Sequence, residues 1–75
     1  MSKSPEQLDQ LRRLGANVRR ARLARGLTQE QLAERAELSL RNIQRIEAGQ
    51  LDILVTTFLR VRRALRCPAD QLLPR

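Results

Sequence analysis

Three residues, Glu37, Leu38 and Ser39, separate two short amphipathic stretches, and this spacing constrains the chain more than any other feature. Upstream, Thr28 stands three residues before Gln31, the arrangement of a capping box, and Leu32, Ala33 and Ala36 form a narrow apolar stripe. The spacing predicts a two-turn helix over Gln29 to Ala36. Downstream, Ser39 caps a further helix over about Leu40 to Ala48, stopped at Gly49. So short a connection does not let two helices lie side by side antiparallel. They must cross at about 90 to 120°, as in a helix-turn-helix, here spanning about residues 28–49.

The remaining blocks are also helical in period. Ser4, Pro5 and Gln7 combine an N-cap, a first-turn proline and a capping-box partner. Leu8, Leu11, Leu14, Val18 and Ala21 then repeat at three or four residues as far as Gly26. This predicts a first helix over about residues 5–25, loosened at Gly15. Phe58, Val61 and Leu65 predict a fourth helix from about Val55 to Arg66, and Pro68 begins a short fifth through Leu72 and Leu73. No block alternates with the two-residue period of a strand, and the one short exception to helical spacing is the apolar run at residues 53–55. The expected fold is all-α, with five helices in one domain over residues 1–75.

Composition removes whole classes of function. With no His and a single Cys, the chain has no disulfide partner for Cys67, none of the common zinc ligand sets, and neither a Ser-His-Asp nor a Cys-His catalytic arrangement. No enzymatic activity, metal or cofactor is expected. Cys67 itself reads as a buried, inert thiol. A chain of 75 residues buries only about 60% of the surface that it exposes when unfolded, which makes a partner chain the leading source of extra stability. The 15 basic side chains exceed the 8 acidic ones to give a net charge of +7, which points to a polyanionic partner. All of the basic residues except Lys3 are Arg, the cation that forks onto phosphate or guanine.

The longest apolar run, Ile53-Leu54-Val55, falls far short of the roughly 20 residues of a membrane span. The N-terminus leads into a charged helix rather than a signal sequence. A cytoplasmic, nucleoid-associated protein is expected. Without Trp or Tyr anchors a membrane-surface role is disfavoured, and with Phe58 the sole aromatic residue there is no platform for stacking single-stranded RNA.

The residues of the third helix sort by face. Ile43, Ile46 and Glu47 fall on one side, and Arg41, Gln44, Arg45 and Ala48 on the other. That outward face holds the chemistry that reads base edges in duplex DNA, because Arg bonds guanine doubly and Gln does the same to adenine.

Taken together, Leu14-Gly15, Arg22, the run Gly26-Leu27-Thr28-Gln29-Glu30-Gln31-Leu32-Ala33, Ser39, Ile43, Ile46-Glu47 and Gly49 resemble the Cro and repressor class of helix-turn-helix proteins (Xre-like, lambda-repressor-like). The likeness covers Leu14 to Leu73. It implies a recognition helix in the major groove, with Leu40, Arg41 and Arg45 where relatives contact bases and with Asn42 and Gln44 in support. Leu40 suits the edge of the core equally well. Gln29 matches a residue that relatives use on phosphate, beside the caps Thr28 and Ser39. Arg22 and Glu47 match a largely buried ion pair that joins the first helix to the third. The chain departs from the pattern at Glu37, where relatives have Gly in a left-handed turn, at Arg62, and at Pro68 in place of a Ser cap.

Leu51, Ile53, Leu54, Val55, Leu72 and Leu73 are more apolar residues than a loop and a terminal turn should expose. They predict a homodimer formed through residues 50–75. The expected function is a sequence-specific regulator of transcription that binds a palindromic operator in double-stranded DNA, with no effector domain and no small-molecule ligand. Relatives of this kind include phage repressors, restriction-modification controllers and autorepressing antitoxins with a protein partner. A protein-binding adaptor of the same fold is the alternative from another class.

Overall fold

The computed structural model describes residues 2–75 and contains, among them, five α-helices and no strand. They are α1 (Pro5–Ala24), α2 (Gln29–Ala36), α3 (Leu40–Glu47), α4 (Val55–Leu65) and α5 (Ala69–Leu72). Their starts follow from local chemistry. The Ser4 and Thr28 hydroxyls accept from the backbone amides of Gln7 and Gln31, whose side chains return the bond to the capping residues, so both boxes close. Ser39 accepts from the Asn42 amide at 3.1 Å. Neither Leu54 before α4 nor Pro68 before α5 supplies a side-chain cap.

The first four helices all end in the same way. A residue in the left-handed region follows each one, and the next amide reaches back five residues to a carbonyl in the last turn: Leu27 to Arg22, Leu38 to Ala33, Gln50 to Arg45 and Cys67 to Arg62. Glycine fills the left-handed position after α1 and α3, as Gly26 and Gly49. Glu37 (φ 56°) fills it after α2 and Arg66 (φ 52°) after α4. The turn between α2 and α3 therefore keeps the geometry that a glycine would give, with a non-glycine residue carrying the strain. Arg60 supports it from α4. Its Nε donates to the Ala36 carbonyl at 3.1 Å and its Nη2 to that of Glu37, so a cation sits on the negative end of α2.

One apolar cluster joins the helices. Val18 of α1, Leu32 of α2, Ile43 and Ile46 of α3, Val61 and Leu65 of α4 and Leu72 of α5 are essentially removed from solvent. Burying each such side chain contributes about 1.5 to 3 kcal/mol before the entropy of ordering is subtracted. Leu27 and Cys67 reach the same cluster from the connections. α3 packs against α1 and α2, and α4 against α2 and α5.

Gly15 does not loosen α1, which runs unbroken through it. Its role is contact. A Cβ there would overlap the Ile46 carbonyl oxygen and stand 2.7 Å from that of Glu47, so only glycine lets the end of α3 lie against α1. Gly49 is constrained twice, by its φ of 72° and by the Arg12 backbone 2.8 Å from where a Cβ would stand. No helix among the described residues is long and apolar enough to cross a membrane.

Candidate nucleic-acid interface

The inward face of α3 is held by Ile43 and Ile46, both fully buried, and this turns Leu40, Arg41, Gln44 and Arg45 to the exposed side. Asn42 is half-buried. The side chains of Arg41 and Arg45 form no ion pair or hydrogen bond among the described residues, so both guanidinium forks are available. Leu40, at 36% exposure, stands at the rim of this face and is accessible to a partner.

Glu47, the acid of α3, is withdrawn from that face. Its side chain is only 4% exposed and lies against Arg22, whose Nε donates to Oε2 at 2.7 Å and whose Nη2 donates to Oε1 at 3.0 Å. Arg22 also donates through Nη1 to the Leu27 carbonyl at 2.7 Å. The Gln29 amide completes the group by donating to Glu47 Oε1 at 3.1 Å. The network thus ties α1, the connection to α2, the first residue of α2 and the end of α3 to one carboxylate. No buried side-chain polar atom among the described residues lacks a partner.

These contacts refine the places of the expected phosphate-binding residues. Gln29 spends one amide hydrogen on Glu47 and keeps the other, along with its backbone N-H in the first turn of α2, where the orphan donors of a helix collect. The hydroxyl oxygens of Thr28 and Ser39 accept from their own helices and keep their hydrogens. The first turn of α2 also holds Glu30, while that of α3 has no acid. The start of α3 is therefore the more favourable of the two for an anion.

The residues expected at a dimer surface divide. Leu54 and Val55 are 73% and 74% exposed, and Leu73 is 47% exposed. Leu51 and Ile53 are half-buried against the core. Leu72 is a correction: it is fully buried within the chain and offers no side chain to a partner, because α5 folds back on α1 and α4. Its carbonyl accepts from Asn17 Nδ2 at 3.0 Å, which fixes that fold-back. Sequence reading missed Leu59, 45% exposed, and Phe58, which with Leu11, Ile53 and Val55 line an apolar groove of about 360 Å³. The three-to-four spacing of Val55, Phe58 and Leu59 on α4 carried that signal.

The helix-turn-helix family matches residues 18–72. Among solved structures the chain is similar to the restriction-modification controller protein C.AhdI from Aeromonas hydrophila, with 30% identity, a TM-score of 0.81, and coverage of 84% of this chain and 96% of that one. It is similar to the hypothetical transcription factor NHTF from Neisseria at 28% identity and a TM-score of 0.82, over 99% and 86% of the two chains. It is also similar to the clp gene regulator ClgR from Corynebacterium glutamicum at 26% identity and a TM-score of 0.78, over 81% of this chain and 65% of that one. No curated protein matches the chain significantly.

Proposed function

Because the chain belongs to the helix-turn-helix family of DNA-binding transcription regulators, which are not enzymes, we propose that it binds a palindromic operator as a homodimer and places α3 in the major groove. The observation that carries this reading is the composition of one exposed face. Arg41, Gln44 and Arg45 present base-reading groups together, and the acid that would repel DNA is held inside by Arg22. Arg41, Gln44, Arg45 and Leu40 contact base edges. Gln29, Thr28, Ser39 and Asn42 hold the phosphates that flank them. Residues 1–75 act as a single domain in the cytoplasm, at the nucleoid.

Leu51, Ile53, Leu54, Val55 and Leu73 form the dimer surface in this reading. Two copies would set their recognition helices about 34 Å apart, one turn of DNA. The likeness to a restriction-modification controller protein supports a controller-like role here, as a small regulator of transcription.

Selection of bound sites from random duplex DNA tests the proposal, and a symmetric site with half-sites about one helical turn apart is the expected result. Arg45→Ala should then relax preference at one base-pair position in each half-site by about 1 to 3 kcal/mol. Equal weakening on every sequence would remove Arg45 from the base-reading set.

A further inference from the structure

A second cationic feature lies outside the recognition face. A cleft of about 690 Å³ opens where the ends of α1 and α4 meet α2, bordered by Arg25, Arg35, Arg63 and Arg66, with Ala64 and Leu65 completing its wall. No acidic residue and no residue of α3 lines it. All four arginines are exposed, and none forms an ion pair among the described residues. Arg25 is positioned by bonds to the carbonyls of Ala21 at 3.0 Å and Arg66 at 3.4 Å. Arg66 sits in the left-handed conformation after α4, where a glycine would be unstrained.

Four like charges around one concavity repel each other, and no carboxylate in the lining pairs with them. A guanidinium binds oxyanions through a planar fork, and forks converging on a cleft suit a ligand that concentrates several oxyanions in a small volume. Adjacent phosphate groups do this, whereas an acidic peptide spaces its carboxylates by the backbone. The lining contains no aromatic ring on which a base could stack. We propose that this cleft binds adjacent phosphate groups, supplied either by a free oligophosphate or by a nucleic-acid backbone, at a site independent of α3. The inference stands on the cleft alone and does not require α3 to read bases.

Two double variants with equal loss of charge test it, Arg35→Gln with Arg63→Gln in the cleft and Arg41→Gln with Arg45→Gln on α3. Thermal melts establish that both are folded, which is expected because none of the four side chains makes a hydrogen bond or ion pair among the described residues. In calorimetric titration with sodium tripolyphosphate, the cleft variant should lose about tenfold or more in affinity and the α3 variant less than about threefold. A short duplex of random sequence separates the two sources. If the cleft variant also loses duplex affinity, nucleic-acid backbone is a source, and if only tripolyphosphate binding falls, the ligand is a free oligophosphate. Equal losses in the two variants, no tripolyphosphate binding to the unsubstituted protein, or tighter binding of polyglutamate than of tripolyphosphate would each overturn the proposal.

Discussion

Arg22 of α1 and Glu47 at the end of α3 form a two-pronged ion pair, with Nε 2.7 Å from Oε2 and Nη2 3.0 Å from Oε1, and their side chains are 9% and 4% exposed. The pair lies beside Gly15, where the carbonyls of Ile46 and Glu47 touch α1. Charge and close approach thus set the position of one helix end together. The orientation of the exposed face of α3 depends on both.

Glu47→Ala should destabilise the protein by about 3 to 5 kcal/mol, because Arg22 would be left charged and buried without its partner. Urea denaturation measures this, and an unchanged midpoint would show that the pair does not hold the fold. Replacing both partners by Leu should recover part of the loss, since the stranded charge rather than the missing attraction dominates the cost.

At Gly15 two effects oppose each other. Ala in a helix interior is ordinarily favoured over Gly by about 1 kcal/mol. Here the added methyl group would meet backbone carbonyls that have no room to retreat, at an overpacking cost of about 1 to 3 kcal/mol. Gly15→Ala should therefore lower the melting temperature and weaken DNA binding, as α3 is pushed from α1. A rise in melting temperature would mean that the helices separate freely there.

Glu37→Gly should act in the opposite direction. It removes a left-handed penalty of about 1 to 2 kcal/mol against an unfolded-state entropy cost for glycine of about 0.5 to 1 kcal/mol. A net gain of roughly 0.5 to 1 kcal/mol follows. The Arg60 bonds to the carbonyls of Ala36 and Glu37 survive the change because they involve only the backbone of the turn. Chemical denaturation of the two proteins side by side reads the difference.

Leu54→Glu tests assembly without touching the core. Its side chain is 73% exposed in the single chain, so the fold should keep its stability to within about 0.5 kcal/mol. Sedimentation equilibrium should show a dimer for the unsubstituted protein and a shift to monomer for the variant. An unchanged dimer would move the interface away from the start of α4.

The elements of this fold were legible because their signals are local. Ser4 with Gln7 and Thr28 with Gln31 mark helix starts through bonds three residues apart, and Gly26 and Gly49 mark ends through a conformation that side chains resist. The outward set on α3 was legible for the same reason, since helical period alone sorts Arg41 and Arg45 from Ile43 and Ile46. The ends at Glu37 and Arg66 carried no such glycine mark; there Leu38 and Cys67, which follow them, pack on the core, and Arg60 bonds the carbonyls of Ala36 and Glu37 at the first.

By itself, then, the sequence determined where the helices lie, that no His-dependent chemistry is possible, and which face of α3 is cationic. Tertiary structure alone decided that Leu72 belongs to the core rather than to a surface, that Gly15 is a point of contact rather than of looseness, and that Arg25, Arg35, Arg63 and Arg66 share one cleft. The reason is separation along the chain. Capping and period act within one or two turns, whereas these features depend on residues some thirty or more positions apart that meet only when the shared core closes.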